Sequence, residues 1–174
     1  MIRSLKIFTA VILIAVSVLS CKKTKDYPIE PVIGFKELKK FTDATTSIDT
    51  GLVLTFSFTD GDGDLGYRSG DTLPPFNSSG EYYSNLILKF YYMDNGTFTE
   101  LISSAGPPPY RIPAIESNEH SKATAGDLIV DIELAGLGDI IPEDTFRFEI
   151  YVTDRALHKS NTITTSEIFL HLKN

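Results

Sequence analysis

The residues best suited to chemistry in this chain are the three alternating aspartates of the run Asp60-Gly61-Asp62-Gly63-Asp64. Carboxylate oxygens are the ligands that Ca²⁺ prefers, and the ion takes about six to eight oxygens at about 2.3–2.6 Å. The intervening glycines let the backbone turn so that the carboxylates surround one point. Without a cation the three negative charges would repel one another. We therefore predict a calcium-binding loop with Asp60, Asp62 and Asp64 as ligands.

The run from Asp60 to Tyr67 resembles the DxDxDG loops of calcium-binding proteins. It departs from the EF-hand loop, because Leu65 stands where the turn glycine is expected and Gly66 comes one place later. A predicted strand precedes the run, where an EF-hand has a helix. The resemblance therefore implies calcium binding by a loop outside an EF-hand.

Apolar and polar side chains alternate with a period of two through most of the chain beyond residue 31, which is typical of half-buried β-strands. No segment of comparable length has a helical stripe, and residues 136–141 predict one turn at most. Clusters of Gly, Pro, Asn and Asp separate the strands. We therefore predict an all-β antiparallel sandwich of about seven to eight strands. The clearest strands are 52–59, 86–92, 128–134, 146–152 and 168–172, and shorter candidates are 32–38, 97–102 and 110–115.

The order of strong and weak strands resembles that of an immunoglobulin-like or cadherin-like module. A chain with no Trp and one Cys excludes the antibody type, which has a disulfide and a buried indole. A jelly roll is the main alternative architecture. The prediction is one immunoglobulin-like domain over residues 32–174. Its strands are 32–38 as A, 52–59 as B, 86–92 as C, 128–134 as E, 146–154 as F and the chain end as G.

A fourth aspartate, Asp154, is predicted to lie near the aspartate loop. Strands B and F run in the same direction in an immunoglobulin-like sandwich, so the B–C and F–G loops leave at one pole. Asp60 continues the inward-facing positions of strand B, and Asp154 continues those of strand F. An unpaired charge between the sheets is costly. We therefore predict that Asp154 shares one cation with the three aspartates of the loop.

The alternative is a polar turn in which these aspartates accept backbone N–H hydrogen bonds. In that interpretation Arg155 or Lys159 supplies the counter-charge. Asn161 follows the same loop and is predicted either to cap it or to ligate the ion. The sequence leaves both interpretations open.

Two irregular connections, residues 60–85 and 106–110, are rich in aromatic side chains. Connections this long are unusual in a compact domain unless they bind a ligand or are disordered. Aromatic rings stack on sugars or anchor protein partners, and the alternative is that they fold back over the sandwich. The candidate binding surface consists of Tyr67, Phe76, Tyr82, Tyr83 and Tyr110.

The pairing of strands C and F can be predicted from their outward-facing side chains. One register places Lys89 opposite Glu149 and Tyr91 opposite Arg147. These are an ion pair and a cation–π pair on the outer surface, and both stabilise an antiparallel pair. We therefore predict this register.

The first 21 residues have the composition of a targeting signal. Arg3 and Lys6 precede an apolar run over residues 7–19, and a small residue and a cysteine close it. As a helix the run would extend only about 20 Å, which is short of the ~30 Å hydrocarbon core of a bilayer. We therefore predict a signal peptide over residues 1–20.

The stretch from Val18 to Cys21 resembles the lipobox of bacterial lipoproteins, with an aliphatic residue three places before the cysteine and a small residue directly before it. The resemblance implies cleavage before Cys21, lipidation of Cys21 and a lipidated tether over residues 21–31. The next residue is Lys22 and not Asp, which in Gram-negative lipoproteins favours the outer membrane. The alternative is an ordinary thiol.

Charge and composition argue against two large function classes. The chain has 16 Lys+Arg against 23 Asp+Glu, a net charge of −7, so clustered cations for nucleic-acid binding are not expected. His120, His158 and His171 have no metalloprotease spacing and lie beside no nucleophile motif. We therefore predict no catalytic residues and no enzyme activity.

These features together predict a lipid-anchored lipoprotein of the bacterial cell envelope that acts as a binding or assembly module. Its loop pole is expected to be stiffened by Ca²⁺, and its partner to be a protein or a glycan. The alternatives are an envelope enzyme or enzyme inhibitor that uses the same B–C and F–G loops, and a purely structural spacer.

Overall fold

The computed structural model describes residues 26–102, 109–115, 123–141 and 143–173. The predicted signal peptide, the lipobox with Cys21 and the beginning of the tether lie outside the described residues. No described helix is long and apolar enough to cross a membrane. The strands are β1 (Val32–Thr42), β2 (Asp49–Asp60), β3 (Leu86–Asp94), β4 (Thr97–Glu100), β5 (Thr124–Glu133), β6 (Glu143–Val152), β7 (Ile163–Thr164) and β8 (Ile168–His171), and a 3₁₀ turn over Leu137–Asp139 separates β5 from β6.

The eight described strands form two antiparallel sheets. One sheet has the order β1-β2-β5, and the other has β4-β3-β6 with β7 and β8 both paired to β6. The two short strands pair with different halves of β6 and so form one interrupted edge. This arrangement confirms the predicted all-β sandwich, because β1, β2 and β5 occupy the places of A, B and E, and β3, β6 and β7–β8 those of C, F and G.

A single hydrophobic core joins the two sheets. Alternate side chains of β2 and β6 are buried, as the period of two predicts, and the residues between them are half-buried in β2. The rings of Phe90 on β3 and Phe148 on β6 meet edge to face, with centroids 4.9 Å apart. This packing holds the inner faces of β2 and β6 in the shared core. The inward-facing residues are Leu52, Leu54, Phe56 and Phe58 of β2 and Phe146, Phe148, Ile150 and Val152 of β6.

β3 and β6 pair in the predicted register, with Lys89 opposite Glu149 and Tyr91 opposite Arg147. The Arg147 guanidinium lies 5.6 Å from the centre of the Tyr91 ring, as expected for the cation–π pair. The expected ion pair of Lys89 is wrong, since its Nζ lies 3.1 Å from Oε1 of Glu100. Edge strand β4 brings this second carboxylate onto the same face, and Glu149 accepts a hydrogen bond from the Tyr91 hydroxyl instead.

Residues 110–115 do not form the predicted strand and make only isolated bridges, one of them between Tyr67 and Pro113. Proline has no N–H, so it cannot extend a ladder. The segment is nevertheless held in place. The buried Asn85 side chain accepts a hydrogen bond from the Ile112 N–H (2.6 Å) and donates to the Ile112 carbonyl (3.0 Å). The Tyr67 N–H donates to the same carbonyl at 2.9 Å, which positions the loop after β2.

Candidate metal site

β2 and β6 bring two aspartates to the same pole of the sandwich. Asp60 is the last residue of β2, Asp154 lies just beyond β6, and both side chains are fully buried. The Arg155 N–H donates to the Asp64 carbonyl at 3.4 Å, which ties the loop after β6 to the loop after β2. The inward positions of the two strands therefore continue into one shared gap between the sheets.

The structure brings together the four aspartates on which the sequence prediction rests. One carboxylate oxygen from each of Asp60, Asp62, Asp64 and Asp154 lies within 4.8 Å of the other three. Oxygens on opposite sides of one Ca²⁺ are separated by about 5 Å, because each lies about 2.3–2.6 Å from the ion. The spacing of the four oxygens therefore fits a single ion of this size.

Three of these carboxylates have an oxygen that the fold does not satisfy. The Oδ1 atoms of Asp60, Asp62 and Asp64 are buried and have no hydrogen-bond partner within the described part of the chain. A buried polar atom without a partner costs about 1–3 kcal/mol, and more when it is charged. One cation could satisfy all three of these neighbouring acceptors.

The polar-turn interpretation accounts for other oxygens of the cluster. Asp60 Oδ2 accepts a hydrogen bond from the Leu65 N–H at 2.8 Å. Asp154 Oδ1 accepts one from the His158 N–H at 2.7 Å, and Oδ2 lies 2.9 Å from His158 Nδ1. A carboxylate has about four lone-pair sites, so Asp154 can keep these bonds and still bind an ion. The turns therefore orient the aspartates without satisfying all of them.

The cations expected to neutralise the aspartates have other partners. Arg155 Nε lies 3.7 Å from Asp71 Oδ2, and Lys159 Nζ lies 3.7 Å from the centre of the Tyr151 ring. The charge of Arg155 does lower the pKa of Asp64, but burial and the neighbouring carboxylates outweigh it and raise that pKa. The local cations therefore compensate the cluster only in part.

Asn161, which was predicted either to cap the loop after β6 or to ligate the ion, bonds to the backbone of β1. Its Oδ1 accepts a hydrogen bond from the Ile33 N–H at 2.8 Å, and its Nδ2 donates to the Ile33 carbonyl at 2.9 Å. Both polar groups of the side chain are thus used to hold β1 against the loop after β6.

Burial and mutual repulsion favour protons on the metal-free cluster. Burial raises the pKa of Asp60 to about 6 against the hydrogen bond from the Leu65 N–H, and the negative charges of Asp62 and Asp64 add to the rise. Burial, followed by the charge of Asp154, raises the pKa of Asp64. Burial also raises the pKa of Asp154, against the hydrogen bonds from His158. Carboxylates whose negative charge is disfavoured in this way gain most from a bound cation.

The N-terminal segment packs against the aspartate loop, a contact that the sequence did not predict. The Gly61 N–H donates to the Pro28 carbonyl at 2.8 Å. A side chain at Gly61 would clash with the carbonyl oxygens of Tyr27 and Pro28, so only glycine allows this approach. The glycine itself was the only available signal, because two carbonyl oxygens carry no sequence pattern. The end of the predicted tether therefore lies at the pole of the sandwich that carries the four aspartates.

Comparisons of the chain with protein-family models, with curated proteins and with solved structures found no match. The functional interpretation therefore rests on the residues and their geometry.

A cavity beside the aspartate loop collects part of the predicted aromatic surface. Its volume is about 580 Å³, and Tyr67, Phe76 and Tyr83 are among the residues that line it. The rings of Tyr67 and Phe76 meet edge to face, with centroids 4.9 Å apart. Tyr82 and Tyr110 are not among the lining residues, and Tyr110 packs against the hydrophobic core with its hydroxyl buried. Three of the five predicted aromatic residues therefore line this cavity.

Arg111 organises this cavity, and the sequence analysis did not identify it. Its guanidinium carbon lies 4.8 Å from the ring centre of Tyr67 and 4.9 Å from that of Tyr83. Its N–H groups donate to the carbonyls of Phe76 (2.9 Å), Tyr83 (2.6 Å) and Asp71 (3.0 Å). Partners that are backbone carbonyls leave no trace in the sequence, so no pattern could have revealed this role.

Proposed function

We propose that this protein is a calcium-binding β-sandwich module of the bacterial envelope, held by a lipid anchor, which binds or assembles with a partner through its loop pole. The three buried Oδ1 atoms of Asp60, Asp62 and Asp64, which lack a hydrogen-bond partner in the described ranges, carry the calcium part of the proposal. Four converging aspartate oxygens supply a ligand set for them.

The chemistry of the ligand set favours Ca²⁺ over other divalent ions. All four converging groups are carboxylates, which are hard oxygen ligands and suit Ca²⁺, Mg²⁺ or Mn²⁺ more than Zn²⁺ or Cu²⁺. Mg²⁺ requires near-ideal octahedral geometry and usually keeps several waters, whereas Ca²⁺ accepts irregular cages of many carboxylates. A cluster with four acidic groups from two loops therefore fits Ca²⁺ best.

The ion's role in this proposal is structural. It replaces repulsion among four aspartates with attraction, and it joins the loop after β2 to the loop after β6. An ion that binds only the folded protein raises the free energy of unfolding in proportion to the logarithm of its concentration above the Kd. A pole stiffened in this way holds neighbouring loop residues in a fixed arrangement for a partner.

The lipid anchor is proposed from the lipobox resemblance at Val18 to Cys21 and from the presence of a single cysteine in the chain. Two or three acyl chains, each contributing about 0.8 kcal/mol per buried methylene, hold a protein firmly on a membrane. The contact between Gly61 and Pro28 means that the chain enters the domain at the pole with the four aspartates, so a lipid anchor at the N-terminus would lie on that side. Lys22 directly after the cysteine favours the outer membrane.

The anchor is tested by Cys21→Ser in a Gram-negative host, with fractionation of soluble and membrane proteins. Lipidation predicts that the wild type is found in the outer-membrane fraction and that the exported variant is soluble. A variant that is exported and still sediments with membranes would contradict the anchor.

Thermal melting in calcium and in chelator tests the calcium part. The melting temperature of the wild type should rise with millimolar calcium, and Asp60→Asn and Asp154→Asn should lose most of this rise. Asp131→Asn is the matched control, because Asp131 is an exposed aspartate in β5 and should keep the full rise. Wild type without a calcium-dependent rise would contradict the proposal.

A further inference from the structure

The cavity beside the aspartate loop has the size and lining of a small-ligand site. Its volume of about 580 Å³ lies within the range of ~300–1,000 Å³ that is usual for ligand pockets. Phe76 and Tyr83 are half-buried, so part of each side chain stays accessible. Saccharides have apolar C–H faces that stack on aromatic rings and hydroxyl edges that need hydrogen bonds. Hydroxyl and amide groups for such bonds come from Ser69, Thr72, Asn77 and Ser78.

Tyr67 forms a buried and uncharged part of the cavity wall. Its side chain lines the cavity and is only 4% exposed, and its hydroxyl has no hydrogen-bond partner among the residues that the structure describes. A buried tyrosine hydroxyl normally finds a partner, and leaving it without one costs about 1–3 kcal/mol. Burial raises the pKa of Tyr67 to about 12, so the group stays a neutral O–H. This hydroxyl is too deeply buried for a ligand in the cavity to reach, so Tyr67 contributes only its ring to the cavity wall.

The charged groups of the cavity do not form an anion site. Arg111 already donates to three backbone carbonyls and lies over two rings, so its role is to hold the wall. The remaining charged lining residues, Arg68 and Asp71, have opposite signs. Asp71 is partly compensated by Arg155, with 3.7 Å between their charged groups. The lining therefore favours a neutral ligand rich in hydroxyl groups.

The cavity and the proposed metal site share a wall. Tyr67 follows the aspartate loop closely, and Gly66 between them has a φ of +91° and packs against Pro113, which also lines the cavity. Arg155 links the two sites a second time, because its N–H donates to the Asp64 carbonyl and its side chain lies beside Asp71. An ion that stiffens the loop therefore also fixes the position of Tyr67.

We propose that this cavity binds a neutral saccharide unit, which stacks on Phe76 and Tyr83 and hydrogen-bonds the polar side chains of the lining, Ser69, Thr72, Asn77 and Ser78. This inference rests on the proposed binding role and names the chemical class of its ligand. Because the aspartate loop forms one wall of the cavity, saccharide binding should be stronger in calcium than in chelator.

The test begins with an array of neutral and acidic oligosaccharides, probed with the fluorescently labelled protein in calcium. Neutral saccharides that bind are then titrated in solution by NMR. Phe76→Ala and Tyr83→Ala should each weaken binding about tenfold or more, the change expected when roughly 1.4 kcal/mol is lost. Thr72→Ala removes an exposed hydroxyl from the lining and should weaken binding without affecting the fold. Phe169→Ala is the control, because this ring is 54% exposed on β8 and should leave binding unchanged.

The outcomes separate this inference from the calcium proposal. A calcium-dependent rise in melting temperature without any neutral saccharide bound would overturn the inference and leave the calcium proposal standing. Saccharide binding that survives Phe76→Ala, Tyr83→Ala and Thr72→Ala would place the ligand elsewhere and also overturn it. Capture of proline-rich peptides, lost in the same variants and without saccharide binding, would make the cavity a peptide site. The inference would be supported if neutral saccharides bind the wild type, bind less tightly to the three variants and bind Phe169→Ala as tightly as wild type.

Discussion

Asp60 ends a strand of one sheet and Asp154 follows a strand of the other, yet their carboxylates meet in one cluster in which one oxygen of each aspartate lies within 4.8 Å of the others. β2 leads into Asp60 and β6 leads toward Asp154, so the cluster joins the two layers at the pole where their loops leave. A cation bound there crosslinks the sandwich between its sheets. The stability of the domain should therefore depend on calcium.

Asp62→Asn separates metal binding from turn formation. Asp62 is half-buried and its Oδ1 has no hydrogen-bond partner in the described residues. In chelator the variant should be at least as stable as wild type to urea, because one of four repelling charges is removed. In calcium at about 100 times the Kd it should lack most of the ~2.7 kcal/mol that the wild type gains. An equal loss of stability in chelator and in calcium would support the polar turn instead.

The raised pKa of Asp60 predicts how the stability of the metal-free protein depends on pH. A carboxyl group with a folded pKa of about 6 holds its proton more tightly in the folded protein than in the unfolded chain. Its contribution is complete below the unfolded value of about 4 and is lost as the pH rises through about 6. The free energy of unfolding in chelator should therefore decrease over this window, and less so in Asp60→Asn. Identical pH profiles for wild type and variant would contradict the shift.

Gly61→Ala should detach the N-terminal segment from the aspartate loop while keeping every proposed ligand. The new methyl group would clash with the carbonyl oxygens of Tyr27 and Pro28. The backbone N–H of residue 61 loses its Pro28 acceptor and should therefore exchange with solvent deuterium faster in the variant than in wild type. Gly70→Ala is the matched control, because a methyl group there has no atom within 4 Å. Equal exchange rates at residue 61 in all three proteins would contradict the contact with Pro28.

Asn161→Ala should destabilise the fold without affecting calcium binding. The substitution removes two partly buried hydrogen bonds to Ile33, which together contribute about 1–2 kcal/mol. The loss should be the same in chelator and in calcium when measured by urea unfolding. A variant that no longer responds to calcium would show that Asn161 is a ligand, the other role that the sequence allowed.

The strands and the centre of the site could be predicted because alternation reports directly which face of a strand is buried. The alternation of inward-facing positions continues to Asp60 at the end of β2 and to Asp154 just beyond β6, which is why these two residues were expected to meet. The register of β3 and β6 could be predicted from complementary side-chain pairs on the outer face. The ion-pair partner of Lys89 could not, because the edge strand β4 brings Glu100 within reach as a second carboxylate.

Other parts of the site depend on contacts that leave no pattern. Arg111 binds backbone carbonyls contributed by a distant loop, and Pro28 reaches Gly61 through a carbonyl as well. Tyr110 was predicted either to belong to a binding surface or to fold back over the sandwich, and tertiary packing places it against the core. Sequence alone therefore predicts what period and parity encode, and it misses what side chains and loops do with backbone groups.

Calorimetric titration of the chelator-treated, folded protein with calcium tests the central claim most directly. The four-aspartate site predicts saturable binding of one Ca²⁺ per chain in wild type and in Asp131→Asn, and loss of this binding in Asp60→Asn combined with Asp154→Asn. A folded wild type that binds no calcium up to millimolar concentration would contradict it.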